Sequence, residues 1–219
     1  MSETKSTTRK LTLMAMLAAM AYVAMLVTRP LPQVAGFLSY DLKDVVVAIA
    51  GFILGPAEAL LITAVVSLIE MVTVSHTGFI GLLMNVLSTG AFVLPAALMY
   101  RKRRTLKSAA LGLALGVALM AAVMLAWNYI ITPLYMAVPR SVVAGMLIPT
   151  FLPFNLVKGG LNAGITMLLY KPLSAALKRL HFMPGGASAA PRKFNPAATL
   201  ISAFVVVTCV VLFVLMVKK

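Results

Sequence analysis

Long apolar runs leave this chain few folds to choose from. A helix that crosses the hydrocarbon core of a bilayer needs about 20 mostly apolar residues, because it rises only 1.5 Å per residue and no water is available there to satisfy free peptide groups. Cut at its Pro, Gly and charge clusters, the chain divides in order into seven helical spans at roughly 10–28, 43–54, 57–74, 79–100, 107–131, 152–174 and 197–217, of which the second is short. The composition agrees: 62% of residues are hydrophobic, 11% are charged and the mean hydropathy is +1.02, which no soluble domain matches. No segment alternates in the manner of a barrel strand, so the class is all-α, a polytopic transmembrane helical bundle.

A net charge of +14 raises the question of nucleic acid. The placement of the basic residues excludes it, because they flank membrane spans and no soluble domain carries them. Lys5, Arg9 and Lys10 precede the first span, Arg101, Lys102, Arg103, Arg104 and Lys107 separate the fourth from the fifth, and Lys171, Lys178, Arg179, Arg192 and Lys193 follow the sixth. Arg29, Lys43, Arg140, Lys218 and Lys219 fall at the other side. The positive-inside rule then sets the N-terminus in the cytoplasm of a multi-pass cell-membrane protein, with the C-terminus outside if the seventh helix spans. The first span is too long for a signal-peptide core and no small-residue cleavage site follows it, so it is expected to be retained. Cys209, the single cysteine, permits no intrachain disulfide.

Signs of catalysis are absent from the sequence. There is no phosphate-binding loop and no H-E-x-x-H, and His76 and His181 stand in no ligand spacing, so neither an enzyme nor a metal site is expected. Only Glu3, Asp41, Asp44, Glu58 and Glu70 are acidic, and none falls clearly at a helix midpoint where an ion-coupled carrier would keep a relay. Uphill transport would therefore need a partner as its energy source.

Polar groups inside the spans need a reason to be there, since an unpaired neutral polar group in hydrocarbon costs roughly 2 to 7 kcal/mol. The segment "FLPFNLVKGGLNAG" places Asn155, Lys158 and Asn162 at i, i+3 and i+7, on one helical face. With Pro153 in its first turn, the sixth helix would hold Lys158 only one or two turns below the outer surface. Snorkelling to the interface is the simplest role for such a lysine, but its alignment with two asparagines favours an inward-facing binding stripe. Asn128, in "AWNYIITPLY", falls at the same depth on the preceding antiparallel helix. The segment 28–44, rich in Pro and aromatics, is too apolar for a solvated loop and suits a lid. Amides, one cation and rings such as Phe37, Tyr40, Trp127 or Tyr129 suit a flat heteroaromatic ligand, although Trp127 and Tyr135 also fit an interfacial aromatic belt.

The succession "YDLKDVVVAIAGFILGP", "GLLMNVLSTGAFVLPAALMY", "NYIITPLY" and "PFNLVKGGLNAGITMLLYKPLS" resembles the riboflavin-specific substrate-binding (S) component family of energy-coupling factor transporters, over roughly residues 10–178. The resemblance implies a six-helix bundle that captures riboflavin from outside, with no cofactor beyond that transported ligand. It also implies partners, a transmembrane coupling subunit and two ATPase subunits, which fits the missing phosphate loop. Carried over by position, Asn128, Asn155 and Lys158 would bind the flavin ring system, and Tyr40 and Asp41 would belong to the segment closing over it. Ala15 and Ala19, four apart in the first span, form a small-xxx-small pair of the kind such proteins use to dock on the coupling subunit.

Two features depart from that pattern. Many relatives carry a Lys-Asn pair in the third helix where this chain reads Val66 and Ser67, and an additional apolar span follows the usual six. The expected organisation is a six-helix substrate-binding membrane domain at 1–183, a flexible linker at 184–196 and an extra transmembrane helix at 197–219. That last helix shows no polar stripe and is expected to be a peripheral anchor. An S component for another vitamin, or a ligand-free membrane scaffold, are the alternatives that the residues alone leave open.

Overall fold

The structure, a computed structural model, describes residues 2–75, 77–179 and 196–218. In chain order the helices are α1 (Ser2–Thr28), α2 (Lys43–Ile53), α3 (Pro56–Thr73), α4 (Gly78–Arg103), α5 (Leu106–Met136), α6 (Arg140–Met146), α7 (Leu152–Arg179) and α8 (Pro196–Val217). A π-helical turn, Leu147–Phe151, joins α6 to α7. Among the described residues, six helical stretches are long and apolar enough to cross a membrane; α2 is not among them. His76, His181 and the expected linker, apart from its last residue, lie outside the described residues.

Helix limits follow local chemistry. At the start of α5 a capping box satisfies the free N–H groups: the Thr105 hydroxyl accepts from the Ser108 amide at 3.1 Å and Ser108 Oγ accepts from the Thr105 amide at 3.2 Å. Between α2 and α3 the chain reverses at Gly55, whose φ of 125° is open only to glycine, and Pro56 then begins α3 where its missing N–H costs nothing. At 11 residues, α2 is about 16 Å long and too short to cross hydrocarbon alone. It is tolerated because Val45 and Val47–Phe52 are buried among neighbouring helices rather than in lipid.

Leu13, Leu17 and Ala21 of α1, Val47 of α2, Ile62 and Val66 of α3, Phe92 of α4, and Leu113 and Met120 of α5 form the main core. The opposite faces carry exposed Val27, Val72 and Leu134, as lipid-facing surfaces should. With no hydrophobic drive between helices in lipid, close approach comes from small residues. A Cβ added at Gly112 would stand 2.7 Å from the Ala96 Cα, and one at Gly116 would stand 2.1 Å from the Phe92 carbonyl oxygen, so the backbones of α4 and α5 meet at this pair. Gly116→Leu is therefore expected to drive these helices apart and lower stability by about 1 to 3 kcal/mol or more, read as a lower thermal midpoint in detergent.

Contacts at the helix ends give the course of the chain. Lys10 pairs with Glu58 at the start of α3, while Tyr22 donates to Thr73 at its end, 2.8 Å away, so α1 and α3 run parallel. The segment 29–42 caps the end of the bundle to which Tyr22 points, held in part by Arg29 donating to the Val74 carbonyl at 2.5 Å.

Two expectations need correction. The sixth span does not begin near Pro153: helical structure starts at Arg140 and passes through the π-helical turn, leaving Pro153 inside α7's first turn but Lys158 eighteen residues from Arg140. A wider turn absorbs the hydrogen bonds that Pro149 and Pro153 cannot donate, so punctuation that looks like a helix start is an internal irregularity. The last helix is not peripheral on every face, since Cys209 and Phe213 of α8 are buried in a second core with Val34, Tyr40, Phe154, Val157 and Leu161.

Candidate functional site

The polar stripe forms on α7 as its spacing predicts. Asn155, Lys158 and Asn162 are all buried, and Thr166 extends the row by one further turn. Segment 29–42 folds down onto this face, as expected of it, through a hydrogen-bonded Val34–Leu38 turn with both bonds at 3.0 Å. It brings Tyr40 and Asp41 to the stripe from more than 110 residues away in sequence.

Lys158 is the electrostatic centre. Its Nζ lies 2.8 Å from Asp41 Oδ2 and 3.9 Å from Asp44 Oδ2. Asn162 ties the same elements together: Tyr40 donates its hydroxyl to Asn162 Oδ1 at 2.7 Å, and Asn162 Nδ2 donates to Asp44 Oδ2 at 3.3 Å and to the Asp41 carbonyl at 3.4 Å. Thr89 of α4 donates to Asp44 Oδ1 at 2.6 Å. Beside them the buried Lys43 ammonium reaches Glu70 Oε2 at 2.6 Å. Burial by itself would raise the Asp41 pKa, but the ammonium groups of Lys158 and Lys43 outweigh it and hold the carboxyl below the usual carboxylate range.

One atom in this network lacks a well-aligned donor. Asp41 Oδ1 is buried with no hydrogen bond of full geometry, while the Lys43 backbone N–H adds to the groups that stabilise this carboxylate. A buried charged acceptor without such a donor costs at least ~1 to 3 kcal/mol, so the site presents an acceptor to any N–H or O–H donor that enters.

The amides of Asn128 and Asn155 are turned onto their own helices. Asn128 Nδ2 donates to the Met124 carbonyl at 2.7 Å while its Oδ1 accepts from Thr132 at 2.9 Å, and Asn155 Nδ2 donates to the Phe151 carbonyl at 2.8 Å. Both side chains are buried, on α5 and α7. Among the aromatic candidates, Tyr40 joins the network and Phe37 packs at a tilt of 57° against Phe151, 5.8 Å between centroids. Trp127 instead packs on the main core and exposed Tyr129 lies under the Arg140 guanidinium. Asp44 and Thr89 join the site without any signal in sequence, because neither belongs to a polar stripe. Val66 and Ser67, the departure in the third helix, are buried in α3. Ala15 and Ala19 lie on the exposed face of α1, opposite Leu13 and Leu17.

The chain matches the family described as "ECF transporter, substrate-specific component" over residues 9–170. It is 32% identical over 165 residues to the riboflavin transporter FmnP of Bacillus subtilis (strain 168), covering 69% of this chain and 84% of that protein. It is 29% identical over 178 residues to the riboflavin transporter RibU of Staphylococcus aureus (strain TCH60), covering 78% and 94%. The RibU of Streptococcus thermophilus (strain ATCC BAA-250 / LMG 18311) is 31% identical over 183 residues, covering 79% and 86%. A solved structure described as "Structure and mechanism of the S component of a bacterial ECF transporter" superposes with a TM-score of 0.66 at 30% identity, over 79% of this chain and 99% of that one. A multi-pass helical bundle, a buried polar site under a folded segment and this set of relatives converge: the chain belongs to the substrate-specific components of the ECF transporters.

Proposed function

We propose that this protein is the riboflavin-binding subunit of an ECF-type uptake transporter. The observation that carries the reading is the buried Lys158–Asp41 pair with Asp41 Oδ1 lacking a well-aligned donor, and the three riboflavin transporters among its relatives supply the ligand. The dione edge of a flavin offers carbonyls to Lys158 and to the asparagine amides, and an N–H to that carboxylate oxygen. Tyr40 and Asp41 close over the ring system from segment 29–42, while Asn128 and Asn155 turn their amides from helix to ligand. No cofactor takes part, and catalysis is not required of a subunit that binds and releases.

The transport step needs a transmembrane coupling subunit and two ATPase subunits, with Ala15 and Ala19 as the docking face. The N-terminus and the Arg101–Lys107 cluster face the cytoplasm, which puts segment 29–42 outside, where the vitamin arrives. Residues 1–183 carry binding and docking, 184–196 link, and 197–219 add a helix.

Purified protein is expected to show flavin absorbance, or to quench riboflavin fluorescence on titration if it emerges empty. An unchanged spectrum at saturating riboflavin would overturn the assignment and favour another vitamin or a scaffold. In the same assay Asn128→Ala and Asn155→Ala should each weaken binding by about 5- to 150-fold, the loss of about 1 to 3 kcal/mol that follows when a buried partner is left unsatisfied. Full affinity in the double variant would remove both residues from the site.

A further inference from the structure

The last helix lies beyond the family match, which ends at residue 170, yet it is seated on the site. Ser202, Cys209 and Phe213 form its one buried row, whereas Leu200, Phe204 and Val207 are exposed on the lipid side. The seat is cut into α7 by glycines. A Cβ at Gly160 would stand 2.9 Å from Cys209 Sγ, and one at Gly164 would stand 2.7 Å from Val206 Cγ2 and 3.2 Å from the Ser202 carbonyl oxygen. As α7 advances from 160 to 164, its contacts on α8 retreat from 209 to 202, so the two helices are antiparallel. The only described polar side chain in that row, Ser202, bonds to Ala198 of its own helix at 2.9 Å, so shape rather than hydrogen bonding holds the pair.

Antiparallel seating carries the end of α8 to the segment over the site. The Phe213 ring lies against the Tyr40 ring, 5.9 Å between centroids and tilted by 59°, a geometry in which aromatic pairs attract. Tyr40 is therefore held from two sides: its hydroxyl by Asn162 within the site and its ring by a helix outside the family match.

We propose that α8 is a brace for the ligand site: seated on Gly160 and Gly164, it sets Phe213 against Tyr40 and so holds segment 29–42 closed over the bound ligand. Phe213 acts as a positioning residue, through Tyr40 and without touching the ligand. That the ligand is riboflavin rests on the function proposed above; the bracing of the segment does not.

Three measurements on the full chain in detergent test this. Gly160→Cys should form a disulfide with the native Cys209 under mild oxidation, since the distance suits an S–S bond of about 2.0 Å. Tryptic cleavage at Arg192 or Lys193 would then leave two pieces joined until reduced, and pieces that separate without reductant would overturn the seating. In ligand-free protein, Phe213→Ala should speed hydrogen exchange of the amides of Val34 and Leu38, which bond to each other's carbonyls, and Phe213→Tyr should restore slow exchange. Unchanged exchange would overturn the brace whatever the ligand. With riboflavin bound, Phe213→Ala should raise its dissociation rate by about 3- to 10-fold, the size of one aromatic contact, with association unchanged. The same substitution should have no further effect in a Tyr40→Ala background; an additive effect would show that Phe213 acts by another route. Absence of riboflavin binding to the unaltered chain would count against the proposed function alone, because the exchange and cross-linking results stand without it.

Discussion

Lys158→Met is expected to abolish riboflavin binding and to lower stability in the same protein. The substitution removes the ammonium that lies within 4 Å of both Asp41 and Asp44, leaving two carboxylates close together in a buried site. Removing one partner of a buried pair costs about 3 to 5 kcal/mol, because the remaining charge is neither solvated nor neutralised. Stability and recognition can be separated. Adding Asp41→Leu to Lys158→Met removes the stranded charge beside it, so the thermal midpoint should recover by several degrees. Binding should not recover, since the donor to the flavin carbonyl and the acceptor for its N–H are then both gone. Riboflavin fluorescence quenching and a thermal melt on the same samples give both quantities; a double variant that binds would show that the buried pair is structural and that the ligand lies elsewhere.

Ala15→Trp, and separately Ala19→Trp, should reduce uptake in cells to near background with riboflavin affinity kept within a few-fold. Both alanines are exposed on α1, while Leu13, Leu17 and Ala21 on its other face are in the core. A tryptophan there meets lipid in the isolated subunit and disturbs no internal packing. In a complex that depends on close helix approach, the added ring holds the backbones apart, and small-residue contacts in membranes tolerate no such spacing. Uptake of labelled riboflavin in cells carrying the coupling and ATPase subunits, set beside binding to the purified variant, tests the assignment. Normal uptake would place docking on another face.

The long apolar spans, the membrane class and one polar stripe are legible in the residues because each depends on local periodicity, whereas the short helix α6 is not. Apolar runs of spanning length have few places to go but lipid, and the spacing of Asn155, Lys158 and Asn162 puts them on one face of any helix that contains them. The proposed docking role of Ala15 and Ala19 and the proposed ligand role of Asp41 rest on resemblance, since their types and spacing are common in this chain. The sixth span starts earlier than Pro153 suggests: proline normally opens a helix, whereas here a π-helical turn carries the helix past it from Arg140.

What joins distant parts of the chain had to wait for the tertiary structure. Asp44 and Thr89 sit on different helices, and nothing local marks either as a partner of Lys158 or of the other. The role of α8 was hidden for a related reason. Its own sequence shows no polar stripe, and the feature that seats it, Gly160 and Gly164, belongs to α7. Hydrophobicity and helical period act within a dozen residues, so a lipid-embedded helical bundle with a buried polar face follows from the residues alone. Which carboxylates meet the lysine and which helix presses on Tyr40 follow from packing, because those contacts depend on how closely backbones approach across more than 40 residues of intervening chain.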